Sequence, residues 1–302
     1  MTLAVLWIPF TILAALSQVA RNAMQRHLTG SLGTLGATNI RFLFGFPFSL
    51  LFFAVVIAGT GDAVPGLHNG VWAEFVPWLL LGSLSQILAT GLMLAAMNER
   101  SFVVTTAYLK TEAIQTAIFG FLFLGDPLSW QKFAAIVIAT LGVLVTALKP
   151  GGARGFGDLR PTLYGLAAGA GFALSAVGFR GAIIVLPDVT FVTAATFTLV
   201  CTLFVQTLVL SGYLLWRSPK VLVAIFRLWK PSMTAGFTGA LGSQFWFLAF
   251  ALTSAANVRT LALVEVVFAQ IVSRVTFRQP LERRELIGIA LILIGVVLLV
   301  TV

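Results

Sequence analysis

A duplicated segment constrains this chain more than any other feature of its sequence. Thr105–Leu148 consists of an apolar run, a short turn with an acid and a proline, and a second apolar run, and the arrangement recurs 153 positions later at Val258–Thr301. Seven of the 44 aligned positions are identical. The informative matches pair Glu112 with Glu265, Pro127 with Pro280 and Gly142 with Gly295. The chain therefore contains two copies of one unit, which we expect to span residues 1–150 and 151–302.

The composition excludes an ordinary soluble protein. Hydrophobic residues make up 59% of the chain and charged residues 10%, whereas soluble domains carry about 25% charged residues. A membrane-spanning helix needs about 20 mostly apolar residues, and ten runs meet that length. The first run has neither a basic leader nor a cleavage site, so we expect it to stay as a span. The runs lie at roughly 3–26, 36–58, 73–97, 102–123, 130–148, 161–185, 190–215, 232–253, 258–277 and 284–302.

Ten spans divide into five per repeat, and five is an odd number. The second repeat must then cross the membrane in the direction opposite to the first. Inverted repeats are a recurrent architecture of secondary transporters, because they give two near-equivalent packings open to opposite sides. The fold class expected is an all-α integral membrane protein with ten transmembrane helices in two inverted five-helix repeats. The Gly-, Pro- and Arg-rich stretch Lys149–Pro161 is the expected hinge.

The net charge of +9 indicates an orientation signal rather than a nucleic-acid partner, since the basic residues are scattered at span ends. Fifteen Lys and Arg residues follow odd-numbered spans, and three, Lys132, Arg180 and Arg259, follow even-numbered ones. This bias predicts both termini outside the cytoplasm. No His or Cys has metal-ligand spacing, so neither a metal nor another cofactor is expected.

Two acids within apolar runs are the first candidates for function, because an ionisable group in the bilayer is costly without a partner or water. Tyr108, Glu112 and Gln115 share a helix face, which predicts a cavity wall with Glu112 as cation partner or proton carrier. A protonated Glu112 in an interhelical hydrogen bond explains the pattern equally well. The neighbours of Glu265 on its own face are apolar, which favours a structural role for it. Lys110 lies on another face from Glu112, so it either snorkels or pairs with another helix.

Further polar and aromatic residues within the spans are weaker candidates. Gln18, Arg21 and Asn22 form a stripe on helix 1, which is either a solvated helix end or a cavity wall where Arg21 holds a substrate carboxylate. The side-chain amides of Gln86 and Gln244 could form hydrogen bonds with a zwitterionic substrate without adding net charge to the site. Trp246 belongs to an aromatic cluster that is either a substrate wall or helix packing.

Two sequence motifs resemble the drug/metabolite transporter superfamily in its ten-span, EamA-like branch. The run LFLGDPLSWQKFAAIVIATLGVLV is similar to a recurrent hairpin of that branch, with Asp126 in place of Glu and Ala135 in place of Gly. Leu109–Thr116 and Leu263–Ala269 resemble its "L-E-P-V" segment; each keeps the acid and lacks the proline. The resemblance extends over nearly the whole chain.

The resemblance implies a secondary carrier, often an exporter, with a central cavity between the two repeats. Amino acid exporters belong to this branch, so small, partly hydrophobic metabolites, with amino acids first, are the expected substrates. The other expected partners are the lipid bilayer of the inner (plasma) membrane and protons as a candidate coupling ion. A multidrug or cationic-compound exporter of the same fold is the alternative. A polytopic membrane enzyme is disfavoured, because the Asp residues lie far apart in separate connections.

Overall fold

The computed structural model describes residues 5–66, 70–99, 108–147, 159–268 and 282–302, without the side chains of 19–31, 34, 94, 97–99, 147 and 159–161. This part of the chain is helical and contains no strand. Its helices are α1 (Trp7–Leu43), α2 (Gly45–Thr60), α3 (Val71–Glu99), α4 (Glu112–Phe119, extended by a π-helical turn over Gly120–Leu124), α5 (Trp130–Ala147), α6 (Leu159–Val185), α7 (Phe191–Arg217), α8 (Pro219–Arg227), α9 (Trp229–Leu252), α10 (Ala255–Leu261) and α11 (Arg283–Thr301).

The described helices follow the expected spans to within a few residues wherever both can be compared. Six of them are long and apolar enough to cross a membrane, and three shorter apolar helices lie in the expected spans one, four and five. The all-α fold is confirmed, while the count of ten stays a prediction because parts of spans four and nine lie outside the described residues. The connection between the expected spans 190–215 and 232–253 contains a helix of its own, α8.

Two glycines mark where the chain leaves regular helix. Gly33 has φ 65° and ψ 176°, which breaks α1 between the first and second expected spans. Gly125 has φ 66° and ends the π-helical turn at the acidic-proline hairpin. An L side chain is strained at such positive φ values, so glycine is the residue that permits both turns.

Polar side chains determine where other helices begin. The Thr190 side chain accepts from the backbone N–H of Thr193 at the start of α7. Glu282 and Glu285 form a reciprocal capping box at the start of α11. Each cap satisfies backbone groups that a helix N-terminus otherwise leaves without partners.

The chain forms two compact units, and neither coincides with one half of the sequence. The first unit comprises residues 1–87 and 178–253, and the second comprises 88–177 and 254–302. Each unit therefore combines helices from both repeats. The expected division at residue 150 separates the two copies of the duplicated sequence. The compact units instead show which helices pack together.

The second unit shows directly that the repeats are inverted. The last helices of the two repeats, α5 and α11, pack closely, and a Cβ at Gly142 would lie 2.6 Å from the Gly288 carbonyl oxygen. A Cβ at Gly295 would lie 2.7 Å from the Ala135 carbonyl oxygen. Residue 288 is equivalent to 135 and residue 295 to 142, so one contact is made twice, as a two-fold axis requires. Residue numbers rise on α5 as they fall on α11, so these equivalent helices run antiparallel.

The first unit repeats this relation with another pair of equivalent helices. α2 and α7 align under the same 153-residue shift and pack side by side. Phe53 lies over Phe197 with ring centroids 5.7 Å apart, and Phe46 lies over Phe204 at 5.8 Å. Here too the numbering runs in opposite directions on the two helices. Antiparallel packing of equivalent helices in both units is what an inverted repeat produces.

A hydrogen-bonded clip joins the end of α2 to the start of α7 in the first unit. Oδ2 of Asp62 accepts from Oγ1 of Thr193 (2.6 Å), from Oγ1 of Thr190 (2.7 Å) and from the Thr190 backbone N–H (3.0 Å). The Thr193 hydroxyl, followed by the Thr190 hydroxyl, holds the pKa of Asp62 below its usual value of 3.8. These donors stabilise the ionised form.

The clip predicts a pH-dependent contribution to stability. A carboxyl whose folded pKa is depressed stabilises the fold above its unfolded pKa, and this stabilisation disappears as the pH falls through the folded pKa. We expect Asp62→Asn to lower the melting temperature of the purified protein near neutral pH. The difference from wild type should shrink toward pH 3. Asp188→Asn, which removes an exposed carboxyl from the same connection to α7 but outside the clip, is the matched control. A difference that stays constant with pH would contradict the role of the ionised carboxylate.

Candidate substrate and coupling site

Two ion pairs link the repeats within the second unit. Nε of Arg259 lies 2.9 Å from Oε1 of Glu112, and Nζ of Lys110 contacts Oε1 of Glu265. Glu112 and Lys110 belong to the first repeat, and Arg259 and Glu265 to the second. Each acid is thus paired with a base of the opposite repeat. We call these four residues the crossed ion pairs.

The crossed ion pairs are largely removed from solvent and carry no net formal charge. The exposed fractions of their side chains lie between 13% and 19%. Breaking a buried pair by removing one partner leaves an uncompensated charge, which is far more costly than keeping the pair. Two acids and two bases in one place are therefore a neutral group, able to persist in a membrane-spanning helix layer.

The helical segment that carries Lys110 and Glu112 and the one that carries Arg259 and Glu265 are each interrupted by a turn close to these charged residues. A turn at Lys110–Thr111 precedes Glu112, and a turn at Ala262–Leu263 precedes Glu265. The backbone there bonds to the third residue back, as in Thr111 N–H to the Tyr108 carbonyl (3.2 Å) and Leu263 N–H to the Thr260 carbonyl (3.1 Å). Short 3₁₀ segments within helices are frequent at hinges. Transporters commonly place substrate and ion sites at interrupted helices of this kind.

The other two candidates near Glu112, which are Tyr108 just before α4 and Gln115 within it, contact α6 in the same unit. Oγ1 of Thr162 donates to the Tyr108 hydroxyl at 2.9 Å, and Gln115 Nε2 donates to Thr111 Oγ1 at 3.0 Å and to the Leu166 carbonyl oxygen at 3.5 Å. Oε1 of Gln115 is buried and has no hydrogen-bond donor among the described residues. Tyr108 and Gln115 therefore lie toward α6, while Glu112 pairs with α10.

The first unit holds the uncharged candidates. Nε2 of Gln206 donates to Oε1 of Gln86 (2.8 Å), and Nε2 of Gln244 donates to Oγ1 of Thr196 (2.8 Å). Gln86 and Gln244 are each 8% exposed and Gln206 is fully buried. The Oε1 atoms of Gln206 and Gln244 receive no hydrogen bond within the described part of the chain. These amides form neutral polar positions on helices α3, α7 and α9.

Trp246 and the helix-1 stripe have different surroundings. Trp246 is 5% exposed and stacks on Phe250 with ring centroids 6.3 Å apart. The backbone nitrogen of Gln18 lies 3.8 Å from where a side chain at Gly242 would begin, so this part of α1 adjoins α9. The side chains of Arg21 and Asn22 lie outside the described residues.

Two arginines that we expected in connections lie in helices instead. Arg259 is in α10 and pairs with Glu112. Arg180 is in α6, and its Nη1 donates to the Phe250 carbonyl oxygen (2.8 Å) and the Thr253 carbonyl oxygen (2.6 Å) at the end of α9. A cation there satisfies carbonyls that a helix C-terminus leaves without partners. Both arginines therefore have partners within the helical packing, and the orientation of the chain in the membrane stays a prediction.

Sequence reasoning found the two acids but missed the partner of Glu112 and two other polar side chains within the helices. Arg259, Gln206 and Arg180 were not among the candidates, although a polar residue deep in an apolar run is the signal that singled out Glu112. Gln206 carries that signal in the span Phe191–Arg217. No group of three or more His, Cys, Asp or Glu side chains that could hold a metal ion is found within the described ranges.

Comparison with known proteins gives the chain its family. The sequence profile of the EamA-like transporter family matches residues 5–148 and 161–301, which is almost the entire chain in two copies. No curated protein matches the sequence. Among solved structures 29 chains match.

One of these solved structures carries the description "Crystal structure of protein". It superposes with a TM-score of 0.70 over 99% of this chain and 95% of its own, at 14% identity. At that identity the likeness shows the fold alone. Three observations indicate the same duplicated membrane protein: the two copies of the profile, the antiparallel pairs of equivalent helices and the helices of membrane-spanning length. The chain belongs to the EamA-like transporter family, and it is a multi-pass membrane transporter of the drug/metabolite transporter type.

Proposed function

We propose that the protein is an inner-membrane secondary carrier that exports small, partly hydrophobic metabolites, with amino acids as the first candidates. It would work by alternating between inward-open and outward-open packings of its two inverted repeats, with the substrate in a central cavity between the repeats. The coupling ion proposed is the proton, carried by Glu112. The family supports transport as the activity. The crossed ion pairs support the choice of substrate.

The crossed ion pairs have the charge pattern that a zwitterion can exchange with. A substrate carboxylate competes with Glu112 for Arg259, and a substrate ammonium competes with Lys110 for Glu265. The two exchanges form two new ion pairs and release Glu112 and Lys110, an acid and a base, so the site still carries no net charge. Because the pairs link α4 and α10 with their flanking turns inside the second unit, opening them would free these two interrupted helices to repack. A substrate that binds the opened arrangement better shifts the population toward it.

The same charges argue against the cationic-drug alternative. A monovalent cation that binds either acid must displace Arg259 or Lys110, which leaves that base without its partner. Coulomb repulsion between the displaced base and the bound cation is strong where water is scarce. Protonation of Glu112 would also release Arg259, so proton coupling fits this arrangement when the substrate carboxylate takes Arg259 as its partner.

A substrate panel in proteoliposomes tests the proposal. Proteoliposomes that contain the purified protein are loaded with one unlabelled compound. The counterflow of labelled zwitterionic amino acids or lipophilic cations into them is then measured with and without a pH gradient. We expect counterflow of at least one amino acid well above protein-free liposomes, with cations at background. Accumulation of cations alone would favour the drug-exporter alternative. Movement of neither class would contradict the proposed substrates.

A further inference from the structure

The helix α8 (Pro219–Arg227) is seated on the first unit by one of its faces. Ile225 is fully buried, and Val221, Leu222 and Leu228 pack against the same apolar cluster, which includes Ile40 of α1. A Cβ at Gly36 of α1 would lie 2.8 Å from Cγ1 of Val221, so the glycine lets the two helices approach closely. α8 is therefore a fixed part of the unit.

The opposite face of α8 is exposed and combines positive charge with apolar side chains. Lys220 and Arg227 are exposed, and Val223 and Phe226 are 53% and 55% exposed. Two Trp–base neighbours continue this surface beyond the helix ends: Trp216 with Arg217, and Trp229 with Lys230. Nζ of Lys230 lies 5.8 Å from the Trp229 ring centroid. We call these eight residues the α8 surface.

No acidic side chain of the first unit neutralises this charge. The sequence has no Asp or Glu between Asp188 and Glu265. Asp188 lies three residues before α7, Asp62 is bonded to Thr190 at the same end, and Glu74 is in the first turn of α3, after the connection that contains Asp62. The 27 residues of α7 separate that end from Arg217, a length of about 40 Å at 1.5 Å per residue. The α8 surface therefore presents uncompensated positive charge at one end of the unit.

A partner for this surface must be anionic and must also accept exposed aromatic and aliphatic groups. The interface of a membrane containing anionic phospholipids offers both, since headgroups attract Lys and Arg while the boundary of the acyl region accepts Trp, Phe and Val. A nucleic acid satisfies the charge but not the apolar residues. The protein already lies in a bilayer, so this partner is present at the edge of α7 and α9 without further assembly.

We propose that the α8 surface binds anionic phospholipid headgroups. The proposal rests on membrane insertion and is independent of the transported substrate. Each basic residue near an anionic membrane surface contributes about fivefold to binding. Removing two of them should therefore lower the preference for anionic lipid about 25-fold, with additional loss at high ionic strength.

Lipid retention by the purified full-length protein tests this proposal. Protein in neutral detergent is titrated with phosphatidylglycerol or phosphatidylcholine, and bound lipids are counted by native mass spectrometry. We expect the wild type to retain phosphatidylglycerol preferentially. Lys220→Gln/Arg227→Gln should lose most of that preference. Lys132→Gln/Arg283→Gln, which removes the same charge from the second unit, should keep it.

The results that support lipid binding by the α8 surface differ from those that contradict it. Both residues of the test variant are exposed, so its melting temperature in phosphatidylcholine should match that of the wild type. Equal retention of the two lipids by the wild type would overturn the proposal, as would an equal loss of preference in both double variants. The wild-type preference must also fall as salt is added, and a salt-independent preference contradicts electrostatic binding even if the test variant fails to fold.

Discussion

Replacement of Arg259 by Gln should abolish transport and lower the stability of the protein. The change leaves the carboxylate of Glu112 in a site that is mostly removed from water. Loss of one partner from a buried pair costs about 3 kcal/mol or more, which is over a hundredfold in an equilibrium constant. Melting temperature and substrate counterflow in proteoliposomes measure the two effects. Glu265→Gln, which leaves Lys110 without its partner, should behave in the same way.

The charge-balanced double variant distinguishes a structural from a functional pair. Glu112→Gln/Arg259→Gln removes both charges, so it should recover much of the melting temperature lost in the single variant. If the pair exchanges partners with the substrate, the double variant stays inactive although it folds. Counterflow near the wild-type rate in the double variant would show that the pair serves only packing. Glu112→Gln alone should also remove any dependence on a pH gradient if this carboxyl carries the proton.

The sequence could identify the acids of the site and offered Lys110 as a residue that pairs with another helix, but it did not show which base pairs with which acid. Glu112 and Glu265 stand out because an acid in an apolar run is rare and its duplicate lies at the equivalent position. Lys110 and Glu265 are 155 residues apart, and they meet because α4 and α10 pack together. Arg259 looked like a connection charge because it is the second residue of the expected span 258–277. Contacts between distant helices are a property of packing, which spacing along one helix does not reveal.

The prediction that Glu112 and Glu265 have different roles was limited in the same way, because it used only the neighbours on each acid's own helix. Three apolar neighbours on the helix face of Glu265 suggested a structural role, and the spacing along that helix did not show that Lys110 reaches it from the opposite repeat. Span positions and inversion were easier to predict, since hydrophobic length and an odd span count follow from composition and number alone. The helix α8 was missed because nine residues are too few to be recognised as a span, and its basic residues resembled a connection.

The α5–α11 interface predicts a reversal of the usual effect of glycine replacement. Gly→Ala in an exposed helix normally stabilises by up to about 1 kcal/mol. At Gly142 a Cβ would lie 2.6 Å from one backbone atom and 2.7 Å from another, and at Gly295 the corresponding distances are 2.6 and 2.7 Å. Because backbone cannot rotate away as a flexible side chain does, the helices must separate. Small residues are what permit such close packing in membranes.

We therefore expect Gly142→Ala and Gly295→Ala each to lower stability by about 1–3 kcal/mol, the usual range for overpacking. Gly91→Ala, in α3 of the same unit with nothing within 4 Å of its added Cβ, is the matched control and should not destabilise. The two damaging changes lie on one two-fold interface, so the first already moves the helices apart and leaves room for the second. The double variant should consequently lose less stability than the sum of the single losses. Melting of the purified proteins in detergent measures this, and strictly additive losses would mean that the two contacts yield independently rather than as one interface.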